Sequence, residues 1–232
     1  MANTKRLRSF HRWHALAMSV IVIMSAGSGL LHTLMSRPPP PPPATRPAAA
    51  VDLAAATLPP SALAARLPAD AGAVQSVSVR PIGGRPWYQV ISAGRRTPIY
   101  ADVASGAVDE AADERYAAEI AARHLGGAAV RKTAYLTAYD DEYIAIFRIL
   151  PVYRFDADDG RGTRVYVSTM TGSVARATDD AKQFEATTFS LLHKWNFIPN
   201  KAVRDWALVA AMAGIIALAA TGIVLFVRSR RA

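Results

Sequence analysis

Two apolar runs, Ala15 to Met35 and Trp206 to Val227, frame the chain. Each is about 21 residues, enough as a helix to cross a hydrocarbon core of roughly 30 Å at 1.5 Å per residue. Between them the period of the pattern shortens. Around Ile99-Tyr100-Ala101 and Val165-Tyr166-Val167, bulky and β-branched residues mark strands of a half-buried antiparallel sheet. The two stretches belong to an internal repeat. In each copy a Tyr is followed six positions later by Gly (Gly106, Gly172) and eight positions later by Val (Val108, Val174), and the copies lie 66 residues apart. The glycines sit where a tight hairpin turn requires positive φ.

Helical periodicity takes over between and after the copies. Tyr116, Ile120 and His124 recur at four-residue spacing within 109–124, and Gly126-Gly127 stops that helix. A second helix is expected over 179–192, with Phe184, Thr188, Leu191 and Leu192 as its core face, and a short one over 61–67. The fold class is therefore α+β, with two related units of helix plus antiparallel sheet between two transmembrane helices. The boundaries read as a basic tail (1–14), a first span (15–35), a linker (36–57), a domain (58–198, repeats about 61–108 and 110–175), a juxtamembrane piece (199–205), a second span (206–227) and a basic tail (228–232).

Charge orients this plan. Lys5, Arg6, Arg8 and Arg12 precede the first run, and Arg228, Arg230 and Arg231 follow the second. By the positive-inside rule both ends are cytoplasmic and the domain lies on the opposite face. The formal net charge is +9, yet residues 36–203 hold 19 Lys and Arg against 17 Asp and Glu. The basic excess thus flanks the membrane, and nucleic acid is not an expected partner. The first run exceeds the usual h-region of a signal peptide and lacks a small-x-small site at Met35-Ser36-Arg37, so an uncleaved anchor is expected. Pro38 to Pro43, with Pro47, reads as an extended spacer. With no cysteine, the chain has no disulfide, thiolate metal site, covalent c-type haem or cysteine nucleophile.

Several ordered segments resemble the PepSY family, in the form known as PepSY-associated transmembrane proteins. They are Ile149-Leu150-Pro151-Val152-Tyr153-Arg154-Phe155, the Tyr-x-x-x-x-x-Gly-x-Val repeat, Leu191-Leu192-His193, His11-Arg12-Trp13-His14 and Ser28-Gly29-Leu30-Leu31-His32. The resemblance implies a bacterial inner-membrane protein with a periplasmic PepSY domain. It also implies a possible link to b-haem reductases that take iron from imported siderophores, although larger relatives have about four spans. Stand-alone PepSY domains resemble inhibitory propeptide segments of metallopeptidases, which implies a second class of function: a non-catalytic module that binds a partner protein or regulates a peptidase.

Four of the five histidines, His11, His14, His32 and His193, lie in or beside the spans. His14 and His32 are 18 residues apart, five helical turns or about 27 Å, so they cannot share one haem. His32 and His193 both fall near the extracytoplasmic interface. They are the candidate ligand pair for the iron of haem b, on their chemistry and on the resemblance. His14 and Met212 are fallbacks, His14 only across a homodimer or with a partner membrane subunit. The competing explanations are interfacial anchoring for His11 and His14, a headgroup contact or a hydrogen bond to Ser28 for His32, and capping or anchoring of a juxtamembrane helix for His193; His124 suits the C-terminal end of a soluble helix. No catalytic residue is assigned; if the chain is an enzyme it is a haem-dependent ferric reductase component, not a hydrolase. Asp140-Asp141-Glu142 and Asp156-x-Asp158-Asp159-Gly160 read as acidic turns. Trp13, Trp195 and Trp206 suit the interfacial belt. Ser25, Gly27, Ser28 and Gly29, with Gly214 and Gly222, form small-residue faces for close helix packing.

Overall fold

The computed structural model describes residues 2–36 and 50–230. The proline run falls outside them. The chain divides into two compact units, residues 40–180 and the two ends, 1–39 with 181–232.

The domain unit holds two antiparallel meanders. The first has three strands in the order β1 (Val74–Ile82), β2 (Arg85–Ser92), β3 (Ile99–Asp102). The second has four, β4 (Val130–Leu136), β5 (Val152–Ala157), β6 (Arg164–Ser168) and β7 (Ser173–Thr178). Two short pieces, helix α2 (Pro60–Leu63) and a 3₁₀ turn over Ala64–Arg66, stand where a helix is expected over 61–67. Helix α3 (Ala112–His124) joins the meanders. Its first-turn Asp113 and Glu114 and last-turn Arg123 and His124 match the helix dipole. Gly126 and Gly127 end it with positive φ, donating to Arg123 O and Ala122 O.

The main core forms around α3. Ala112, Ala117 and Ala121 are fully buried, and their small side chains let the helix lie close against both sheets. Ile82 and Tyr100 reach this core from the first sheet; Tyr153, Phe155, Val165 and Val167 reach it from the second. The repeated glycines do what the pattern predicts. Gly106 and Gly172 have φ of +73° and +67°, and an added Cβ would stand 2.9 Å from Leu58 Cδ2 or Tyr116 Oη respectively.

The repeat strands β3 and β6 are not half-buried as the pattern suggests. In β6, Val165, Tyr166 and Val167 are all fully buried. The reason is a separate cover on each sheet. Residues 53–71 lay Leu58, Leu63 and Ala71 over Tyr88, Val90, Ile99 and Ala101. The long connection before β5 lays Tyr143 on Tyr166 and Val152, with the Tyr143 and Tyr166 rings stacked at 4.7 Å. Tyr143 donates its hydroxyl to Ile149 O. The acidic turns carry structure too. Asp140 Oδ1 accepts from the N–H groups of Glu142 and Tyr143, and Glu142 Oε1 accepts from Tyr166 and Arg164. Asp159 accepts from the Thr163 hydroxyl and the Arg161 guanidinium.

The other unit is built from two long apolar helices, α1 (Ala2–Met35) and α5 (Lys201–Arg230), each long and apolar enough to cross a membrane. They run antiparallel: His11 meets Thr221, and His14 meets Gly214. The basic residues of both chain ends therefore lie at the same end of the pair. Helix α4 (Asp180–Thr188) and a π-helical turn over Phe189–His193 precede α5. The expected core face of this segment is not one. Phe184, Leu191 and Leu192 are 60%, 41% and 36% exposed, because α4 belongs to the unit of the chain ends and has no buried residue. Gly214 and Gly222 do pack against α1, beside Met18 and His11. Gly27 and Gly29 face open space, whereas Ser28 is buried. Consecutive helical residues project in different directions, so 27–29 cannot share one face.

Candidate functional site

The histidines are the first place to look, because ionisable groups on membrane-length helices carry chemistry or tie helices together. At the end of the pair bearing the basic tails, His11 Nδ1 lies 2.9 Å from Thr221 Oγ1, and His14 Nε2 lies 2.8 Å from Gly214 O. The missing side chain of Gly214 makes room for Met18, since a Cβ there would stand 2.8 Å from Met18 Sδ. At the other end, His32 Nδ1 meets Glu185 Oε1 of α4 at 2.5 Å. His193 Nδ1 is 3.3 Å from both Ser28 Oγ and Ser25 O. Phe189 touches both imidazoles, with ring centroids 4.7 Å from His32 and 4.5 Å from His193, the latter nearly parallel.

The structure thus brings His32 and His193 into one cluster, as the sequence predicts. A haem held by both would need their Nε2 atoms directed at one iron with a porphyrin-wide slot between them. Phe189 lies against both rings, tilted by 35° to His32 and nearly parallel to His193. The Nε2 of His14 is bonded to a carbonyl, and Met212 is 43% exposed on the flank of α5. Among the described residues no group of three His, Cys, Asp or Glu side chains is placed to hold a metal ion.

A second cluster lies within the domain, and the sequence reading missed it. Asp113, in the first turn of α3, is only 5% exposed. Its Oδ2 accepts the Tyr153 hydroxyl at 2.9 Å; its buried Oδ1 makes no hydrogen bond of good geometry among the described residues, though the Thr169 and Tyr100 hydroxyls stand close enough to favour the ionised form. Tyr135 packs on Tyr153 at 4.6 Å between centroids, and its own buried hydroxyl is unpartnered. Gln89, fully buried on β2, donates to the Tyr100 hydroxyl and to Thr169 O, crossing from one sheet to the turn after β6. The missed signal was spacing. Asp113, Tyr116, Ala117 and Ile120 stand at i, i+3, i+4 and i+7, so the carboxylate falls on the buried stripe.

Compared with family models, with curated proteins and with solved structures, the chain has no match. The PepSY likeness rests on the quoted residues alone.

Electrostatics set Asp113 apart. Burial pushes its carboxyl above the usual range, against the hydroxyls of Thr169, Tyr153 and Tyr100, which favour the ionised form. Burial and the nearby Asp113 charge push the Tyr153 and Tyr100 hydroxyls upward. A carboxyl whose folded-state pKa is raised costs stability where it is ionised, and the cost fades as pH falls below both the folded and unfolded values. Asp113→Asn keeps an acceptor for Tyr153 and removes the charge. The variant is expected to melt above the parent at neutral pH, with the advantage shrinking in acid. Melts followed by circular dichroism across a pH series check this; a lower melting temperature at neutral pH contradicts it.

Proposed function

We propose that this chain is a bacterial inner-membrane protein with both basic ends in the cytoplasm. Its α+β domain, a PepSY-like module on the periplasmic face, binds a partner protein without catalysing a reaction. The observation that carries the non-catalytic reading is the role of the histidines. Each of the four on the helix-pair unit has a partner inside that unit: His11 with Thr221, His14 with Gly214, His32 with Glu185, His193 with Ser28. They act as ties between helices, a role that accounts for them without a cofactor.

One observation favours a second reading. Among the described residues the contacts of His32 and His193 use Nδ1 and none uses Nε2, so each ring would be oriented by an outer partner with Nε2 left to hold an iron. With Phe189 against both rings, such a haem would take one histidine per chain and its other ligand from a second copy or another membrane subunit.

An optical spectrum decides between them. Detergent-purified protein from haem-replete cells is expected to show no Soret band, oxidised or dithionite-reduced. A Soret band with sharp reduced α and β bands, lost in His32→Ala or His193→Ala, would overturn the non-catalytic reading and favour electron transfer to ferric siderophores.

A further inference from the structure

The segment that leads into α5 lies deeper along α1 than its place in the sequence suggests. His193 Nδ1 is 3.3 Å from Ser25 O, and Ser25 stands ten residues before the end of α1 at Met35. At 1.5 Å per residue that is about 15 Å below the end of the helix. Glu185 meets α1 higher, at His32, three residues from that end. Residues 185–193 therefore descend along the final turns of the apolar run of α1, before the apolar run of α5 begins at Trp206. We propose that residues 184–198 are embedded in the bilayer leaflet away from the basic tails, with Phe184, Leu191, Leu192 and Phe197 against lipid acyl chains. The inference rests on the proposed reading of α1 and α5 as membrane spans.

Three observations support this placement beyond the depth itself. The first is continuity of the apolar surface. Phe184, Leu191, Leu192 and Phe197 are exposed, and so are Ile23, Leu30 and Leu34 at the same level of α1. The uncovered stripe thus extends the surface that the span turns to lipid, and a soluble partner protein would have no access at this depth. The second is the backbone. Chain that leaves the helix inside a bilayer must satisfy its polar groups within the protein. The break between the π-helical turn and α5 does so. The N–H groups of Lys194, Asn196 and Ile198 donate to Phe189 O, Ser190 O and Trp195 O, and the Asn196 amide donates to Ser190 Oγ. Asn200 Oδ1 then accepts from the Val203 N–H at the start of α5. The third is the placing of charge. Glu185, the one carboxylate in 184–198, stands at the shallow end and is tied to His32. Lys194 lays its stem beside Phe189, with Nζ 5.5 Å from the ring centroid, and such a side chain carries its ammonium up to the headgroups. Trp195 beside it is of the type that lines membrane interfaces.

The test places single spin labels on the cysteine-free, full-length chain in liposomes. Phe184→Cys, Leu191→Cys and Phe197→Cys change exposed positions, so a label there displaces no core. Ile23→Cys marks the lipid-facing side of α1, and Ala129→Cys marks an exposed site on the domain. Each label is relaxed in turn by oxygen, which concentrates among acyl chains, and by a water-soluble nickel chelate. The oxygen-to-nickel accessibility ratio at Leu191 and Phe197 is expected to match that at Ile23 and to exceed that at Ala129 several-fold, with Phe184 in between. A ratio at Leu191 and Phe197 like that at Ala129, while Ile23 stays in lipid, overturns this inference alone and leaves the two spans standing. An aqueous ratio at Ile23 overturns the spans and this inference together. Labels at Leu191 and Phe197 shielded from both relaxers also overturn it, because protein rather than lipid would then cover the stripe.

Discussion

Phe155→Ala is expected to unfold the domain at or near physiological temperature while leaving the helix-pair unit inserted. Phe155 is 2% exposed and lies in the core around α3 with Tyr153, Val165 and Ile120. It also pairs with Val165 on β6 and Lys132 on β4, so its ring is the middle of a three-strand contact. Truncating a buried Phe removes its transfer energy and leaves a cavity, together about 3–5 kcal/mol. That is a large part of the roughly 5–15 kcal/mol that stabilises a typical domain. The alanines of α3 cannot expand into the space. Thermal melts and limited proteolysis of membranes containing the variant would show cleavage across 70–180 with 2–36 and 201–230 protected. A melting temperature within a few degrees of the parent, a change of less than about 1 kcal/mol, would mean the core does not close around α3 as described.

Arg164→Ala is expected to cost about 3 kcal/mol, at the low end for breaking a buried ion pair. Arg164 is 12% exposed; its Nε donates to Glu142 Oε1 at 2.8 Å and its Nη1 donates to Asp180 Oδ1 and Gly162 O. Without it Glu142 keeps the Tyr166 hydroxyl, and the charges of Arg154 and Arg176 nearby, under the connection that covers the second sheet. The Asp180 arm contributes little, because that carboxylate is 73% exposed. Glu142→Gln should cost less, since an amide oxygen still accepts from Tyr166 and Arg164. The connection should open before the rest of the domain, so proteolysis near exposed Ile146 should accelerate in Arg164→Ala more than cleavage elsewhere. Denaturant melts of both single variants and the double variant give the coupling; additive costs would contradict this network.

The legible parts of the fold were those written in short-range pattern. Apolar runs located α1 and α5. The Tyr, Gly and Val spacing located two hairpins and the glycines that turn them. The four-residue recurrence located α3. What stayed hidden depends on contacts distant in sequence. Nothing local to β6 tells that Tyr143, 23 residues earlier, covers its outer face. The apolar spacing of Phe184, Thr188, Leu191 and Leu192 reads as a core stripe, yet the domain ends at Asp180 and that stripe is left uncovered. Among candidate site residues, histidines on long apolar helices attract notice by their rarity there. Asp113 does not, because an acid at the start of a helix is common; only its alignment with Tyr116 and Ile120 betrays its burial. Glu185, the partner of His32, was equally silent, since 153 residues separate them.

The orientation of the chain is the claim on which the rest turns, and the absence of native cysteine makes it directly measurable. Ser9→Cys, Ala129→Cys and Ser229→Cys each change one exposed position, at the start of α1, before β4 and at the end of α5. A membrane-impermeant maleimide applied to the outer face of right-side-out inner-membrane vesicles should label Ala129→Cys alone. Ser9→Cys and Ser229→Cys should react only after the membrane is opened, and both together, because the antiparallel pair places the two basic ends side by side. Labelling of either terminal variant from outside, or protection of Ala129→Cys until lysis, would contradict a domain held by two spans on the face opposite the basic termini.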